Sequence, residues 1–277
     1  MNKIMKCLLC LITAVLVFQG GRFSLADEVS RELMLKKGEE YCFRSRGILT
    51  RILILDKYKV MQGGGRDDNF AYYAMLGENM KSRILKYDLR TWKCMGISEP
   101  LFLGHANDIS YDVNRHLLGI AGTYDRKIIY VDQDDLQEAG SEMTLASLSR
   151  LAYLPDGSGM IGGAAYQYIL FYDDDFMKAV NTFECQGSRY TTQGMTTDGK
   201  YIYDIGWNDI FYGDSLLNKQ RQHSYIVIHN IDGEYIGDYP VYGIEGEPEN
   251  IIHLENNRFA IGCNGSNCVY MVELTYE

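Results

Sequence analysis

Proline is scarce in this chain, with 4 in 277 residues, and tryptophan scarcer still, with 2. So little proline argues against collagen-like, polyproline or linker-rich architecture. Only one apolar run is long, Cys7 to Phe18 with 12 residues, and a spanning helix needs roughly 20. No Gly-x-Ser-x-Gly, His-Glu-x-x-His or phosphate-cradling glycine loop is present, so the usual serine-hydrolase, zinc-protease and nucleotide signatures are missing. The five histidines (105, 116, 223, 229 and 253) show no paired-ligand spacing. The acidic runs Asp132-Gln133-Asp134-Asp135 and Asp173-Asp174-Asp175 lack the alternating ligands and distant glutamate of a calcium loop, and read as solvated turns. No metal site is expected, and no cofactor is specified.

Basic residues are also in deficit, 27 against 37 acidic, for a formal net charge of −10. The first residues read as an export signal: Lys3 and Lys6, the apolar run, then Ser24-Leu25-Ala26 as a cleavage site. Cleavage after residue 26 would remove Lys3, Lys6 and Arg22 and no acid, taking the net charge from −10 to −13. That field repels nucleic acid and anionic membrane surfaces and favours neutral or cationic ligands. The expected organisation is a signal peptide at 1–26, then one domain over 27–277, exported and without a membrane span. Five cysteines then remain (42, 94, 185, 263 and 268), an odd number that leaves at least one thiol unpaired. Cys263 and Cys268 flank a four-residue turn and are the candidate cross-strand pair.

What is plentiful is tyrosine, with 22, and glycine, with 28. Tyrosine suits strands and glycine suits turns, which leans the chain to all-β. Thr191 to Tyr203 shows the unit: a short strand, an Asp198-Gly199 turn that tolerates positive φ, and a strand rich in β-branched and aromatic residues. The unit recurs. Its openings at Gln62, Asn107, Arg150, Gln193 and Glu249 are 45, 43, 43 and 56 residues apart. A period near 45 with about four strands per unit is the mark of propeller blades. The long interval carries an insertion, Asn208 to Gln222, between the second and third strands of the fourth repeat. After a short helical pattern around Ser30–Lys37, a strand at Thr50–Leu55 precedes the repeats, and the fifth repeat stops after three strands. Lending that strand to the last repeat would close a ring and remove an exposed edge. The expected fold is a five-bladed β-propeller closed by an N-terminal strand.

Equivalent repeat positions occupy equivalent places around such a ring. Gln62, Asn107, Asp108, Arg150, Gln193 and Glu249 should therefore surround one tunnel mouth, with His105 beside them. The insertion falls on that face and brings Trp207, Phe211 and Tyr212, which suit a pocket wall. Polar groups in that position either hold ligand or bond neighbouring backbones. The leading expectation is a non-catalytic binding module for a small molecule, glycan or peptide. The alternative is an enzyme on the same face. A glycosidase would need paired carboxylates, and Asp108 and Glu249 are the ring acids available.

The openings Gln62-Gly63 and Thr192-Gln193-Gly194, each followed by a turn and a tyrosine-rich strand, resemble the Thr-Gln-Gly openings of plant-type glutaminyl-peptide cyclotransferases. The resemblance implies a five-bladed, often exported propeller that cyclises N-terminal glutamine. It also implies a role for an acid after the first Gln-Gly, where Asp67 and Asp68 stand here. The repeat style equally resembles exported propeller repeat proteins with no known chemistry.

Overall fold

A computed structural model describes residues 35–55, 57–122, 125–165, 167–172, 175–186, 191–208 and 223–276. By internal contacts the chain divides at residues 34 and 35, and all that follows concerns the second unit. The expected signal segment, Asp173-Asp174 and the insertion with Phe211 and Tyr212 lie outside the described residues.

The fold is all-β. Strand β1 (Tyr41–Arg51) comes first. One four-stranded sheet follows: β2 (Val60–Arg66), β3 (Phe70–Leu76), β4 (Ser82–Asp88) and β5 (Cys94–Ile97). The next holds β6 (Asp108–Asp112), β7 (Leu117–Ala121), β8 (Lys127–Asp132) and β9 (Glu138–Met143). A third holds β10 (Arg150–Tyr153), β11 (Gly159–Ala164), β12 (Gln167–Tyr172) and β13 (Asn181–Glu184). The remaining strands are β14 (Thr191–Thr197), β15 (Tyr201–Asn208), β16 (His223–Asn230), β17 (Tyr235–Tyr242), β18 (Glu247–Glu255), β19 (Arg258–Asn264) and β20 (Cys268–Tyr276). With β1 they form an eight-stranded sheet in the order β14-β15-β16-β17-β1-β20-β19-β18. Its middle join, β17 to β1, is parallel and spans two residue pairs, Phe43 with Val241 and Arg44 with Tyr242. Every other pairing is antiparallel between neighbours.

The burial of each strand follows from its place. Second strands are sandwiched between sheets, so Ala71, Tyr72, Tyr73, Ala74 and Met75 of β3 are all buried, a continuous run rather than an alternation. Fourth strands lie at the rim, and β9 reads Glu-Ala-Gly-Ser-Glu-Met with nearly every residue exposed. Charges on such an edge discourage pairing with another chain. Between sheets the core is divided into separate clusters: Tyr72, Ala74 and Ile84 pack with Leu118, Ile120 and Val131, and Leu154, Ile161 and Leu170 with Met195 and Ile202. Truncating one such side chain to Ala costs about 2–5 kcal/mol.

The first strands of the units, β2, β6, β10, β14 and β18, pack on one another in cyclic order, β18 returning to β2. This radial arrangement is propeller-like. Their approach is close. A Cβ on Gly63 would stand 2.7 Å from the Asp108 backbone, and one on Gly194 would stand 2.7 Å from Asn250 Cα. The Gln-Gly openings therefore mark where inner strands touch.

The turns explain the aspartates and some of the tyrosines. Asp67 Oδ1 accepts from the N–H groups of Asn69 and Phe70, both at 2.7 Å, and its Oδ2 from the Tyr72 hydroxyl at 2.6 Å. Asp198 repeats the device with Lys200, Tyr201 and the Tyr203 hydroxyl. Asp132 caps its own turn by accepting from the N–H groups of Asp134 and Asp135.

The N-terminal strand is not at Thr50–Leu55. It lies upstream, over Tyr41–Arg51, and pairs with β20 from Tyr41–Tyr276 to Arg51–Cys268. Its anchors are Cys42 and Phe43, both wholly buried, whereas Leu53 and Ile54 are about half exposed at 45% and 53%. The apolar run past Thr50 looked like the strand because hydrophobicity was concentrated there; bulges at Ser45/Gly47 and Ile48/Thr50 break the alternation that would have marked the real one. Cys263 and Cys268 are direct cross-strand partners, both buried and present as thiols.

Candidate functional site

The five inner strands run side by side around the axis, so the tunnel has a leading mouth where they begin and a trailing mouth where they end. Matching contacts show that they run level. Gly63 N–H donates to Ala106 O near the leading end, and near the trailing end Tyr153 N–H donates to Ser110 Oγ.

The sequence candidates stand at the leading end. Asp108 is fully buried at the start of β6. Its Oδ2 accepts from the N–H groups of Leu151 and Met195, both at 3.0 Å, and its Oδ1 from that of Ile109 at 3.1 Å. One carboxylate thus ties β6, β10 and β14. Burial pushes its pKa well up, and those three donors pull it back. Asn250 ties the opposite arc, with Nδ2 donating to Gln62 O at 2.6 Å and Oδ1 accepting from Gly262 N–H at 3.1 Å. The Gln62 amide, also buried, donates to Met61 O at 2.9 Å.

Arg150 is 1% exposed. It donates to Thr192 Oγ1 and to Ala165 O, and its Nε lies 3.1 Å from Asp204 Oδ2, outside hydrogen-bond alignment. Asp204 also accepts from the Tyr168 hydroxyl at 2.9 Å. Burial raises the Asp204 carboxyl, and the Arg150 charge and the Tyr168 hydroxyl lower it. Arg150 and Asp108 therefore spend their polar atoms inside the protein. Breaking one partner of such a buried pair costs about 3–5 kcal/mol.

The remaining candidates form two local groups. Gln193 Nε2 donates to Glu247 Oε1 at 3.0 Å. Glu249, two residues along β18 and 5% exposed, has its pKa pushed up to about 8 by burial and then by the Glu247 charge, against a hydrogen bond with Asn264. His105 Nδ1 bonds Asn107 Oδ1. Trp207, near the end of β15, keeps its indole N–H buried with no partner among the described residues.

The cavity lies at the other end. At the trailing mouth a cavity of about 280 Å³ is lined by all five inner strands and the turns that follow them. Its lining includes the apolar residues Ile109, Met195, Ile251 and Ile252 and the rings of Tyr111, Tyr153 and His253. Arg66, Asp67, Asp68 and Asp198 ring it. Arg66 Nε donates to His253 O at 2.6 Å. Burial lowers the His253 pKa and keeps the ring neutral.

No known family profile matches the chain, and neither does any curated protein. Among solved structures it is similar to hydrazine synthase of Kuenenia stuttgartiensis, at 14% identity and a TM-score of 0.45, over 77% of this chain and 64% of that one. It is also similar to the β-propeller domain of Cps50 (Swd1) from Myceliophteria thermophila, at 11% identity and a TM-score of 0.46, over 83% of this chain and 99% of that one. The chain thus spans under two thirds of the hydrazine synthase chain.

The trailing-mouth residues escaped sequence reasoning as a group. A signal was there: four of the five first hairpin turns carry an aspartate, Asp67, Asp112, Asp156 and Asp198, and the fifth turns at Glu255-Asn256-Asn257. Read singly, each is a turn cap. Read as equivalent repeat positions, they mark a second ring of polar residues.

Proposed function

We propose that the chain is a five-bladed β-propeller, with β1 serving as fourth strand of the last blade, that binds a small molecule in the tunnel cavity at its trailing mouth. The eight-stranded sheet supports the blade count, since its halves β14–β17 and β18–β20 plus β1 meet over two parallel pairs alone. The observation that carries the function is the cavity itself, about 280 Å³ with walls from every inner strand. That volume sits just under the roughly 300 Å³ where drug-sized sites begin, which sets the ligand as small. Export by residues 1–26 belongs to the same proposal.

The catalytic alternatives are less favoured. Asp108 is committed to three main-chain donors, so it is not free to act as a glycosidase acid. The Gln62 amide is bonded to its own chain, and Asp67, the acid implied by the cyclotransferase resemblance, caps a turn at the opposite mouth.

Thermal-shift screening of small polar metabolites should return ligands of the wild-type protein, because binding to the native state alone stabilises it by about 2.7 kcal/mol at 100 times Kd. Val113→Trp, at the exposed rim of the cavity, should abolish those shifts, and Gln193→Ala at the leading mouth should leave them. The reverse pattern would move the site to the leading mouth.

A further inference from the structure

The cavity walls carry an unequal but two-signed set of charges. Its one cationic wall residue is Arg66, facing the carboxylates of Asp67, Asp68 and Asp198. Arg66 is held in place: Nε donates to His253 O at 2.6 Å and Nη1 reaches Asp67 O at 3.4 Å. Its Nη2 makes no hydrogen bond among the described residues. On the acid side, Asp67 and Asp198 each already accept three hydrogen bonds, out of the roughly four that a carboxylate takes. Asp68 is exposed and accepts none among the described residues.

A lone anion here would gain Arg66 and meet three carboxylates. A lone cation would satisfy Asp68 but compete with Arg66, whose partly desolvated charge is balanced by Asp68 and Asp67, and would leave the Arg66 Nη2 donor unused. An uncharged ligand would bring no charged partner to that donor or to the Asp68 acceptors. The apolar residues lining the same cavity include Ile109, Met195, Ile251 and Ile252.

Resting on the reading of the cavity as a ligand site, we infer that its ligand is a small dipolar molecule of the amino-acid class. Its carboxylate pairs with Arg66, its ammonium with Asp68 and the spare acceptors of Asp67 and Asp198, and its apolar side chain lies against the apolar lining of the cavity.

Three probes with one hydrocarbon skeleton test this: L-leucine, 3-methylbutylamine and 4-methylpentanoate, with glucose as a neutral polyol, each titrated calorimetrically into the intact chain. L-leucine should bind at least tenfold tighter than the amine or the acid. Arg66→Gln should weaken L-leucine tenfold or more and erase its advantage over the amine, with Arg66→Lys intermediate. Asp68→Asn should narrow its advantage over the acid. Equal binding of the amine or the acid, no detectable binding of L-leucine, or indifference of a folded Arg66→Gln variant would overturn the inference. Glucose binding that Val113→Trp abolishes, with no response to L-leucine, would sink this ligand class and leave the cavity standing as a site. L-leucine binding that survives Val113→Trp would remove the cavity reading as well.

Discussion

The two mouths of one tunnel are built from the two ends of the same five strands, yet they use polar residues in opposite ways. At the leading mouth they are turned inward and onto one another. Asp108 and Asn250 each hold three strands, and Arg150 is closed in by Thr192, Ala165 and Asp204. At the trailing mouth the turns take up part of each acid and leave a cavity with unspent donors and acceptors around it. Polar side chains at a propeller axis thus serve two purposes, and burial separates them. Arg150 is 1% exposed and Asp108 0%, whereas Asp68 faces water.

The comparison is broken most severely by opening the ring. Deleting residues 27–51 removes β1 and opens one edge of β20 along its whole length, the other edge staying paired with β19. Loss of cooperative unfolding or aggregation is expected, since a buried edge becomes a free one. A soluble, cooperatively melting truncation with the wild-type Tm would refute closure by β1.

A paired substitution sharpens the contrast next. Asp108→Ala leaves three buried N–H groups without an acceptor and should cost about 3–5 kcal/mol in urea unfolding. Asp68→Ala at the opposite mouth should stay within about 0.5 kcal/mol. Similar losses from both would show that the two mouths do not differ as described.

The smallest expected effect is a pH dependence confined to the leading mouth. Glu249 holds its proton to about pH 8 in the folded chain, against an ordinary value of 4.5. Between those values the unfolded chain has released the proton and the folded chain has not. Stability therefore falls as pH rises through that window, by about 1.4 kcal/mol per unit for this group. Glu249→Gln should flatten the decline between pH 5 and 8 and stabilise the protein by about 3 kcal/mol at pH 7. An unchanged slope in chemical melts across that range would show that Glu249 ionises normally.

Much of the architecture was readable from period alone. The openings fall within two residues of the starts of β2, β6, β10, β14 and β18, because each unit presents its first strand to the axis, marked by glycine in β2 and β14. The insertion fell between β15 and β16 as spacing implied. The N-terminal strand was displaced because its bulges erase the alternation on which strand reading depends. For the candidate residues, sequence conveyed position but not commitment. Asp108 and Glu249 look alike in a repeat alignment, and only packing reveals that one is bonded to three main chains and the other lies against a second glutamate. The cavity was invisible for a related reason: two of its acids, Asp67 and Asp198, double as turn caps, a role that accounts for them in isolation.

The pairing of Tyr41–Arg51 with Cys268–Tyr276 also governs how the chain can reach its fold. More than two hundred residues separate these partners, while nearly all other strand contacts join immediate neighbours. Each four-strand unit can assemble as it leaves the ribosome, but the first strand to be made must wait for the last. Until then both stand as open edges. Loop-closure entropy opposes their meeting, and such distant contacts slow folding. Joining β1 to β20 is therefore the strand contact with the largest loop-closure cost, and while it is open those two edges are exposed to self-association.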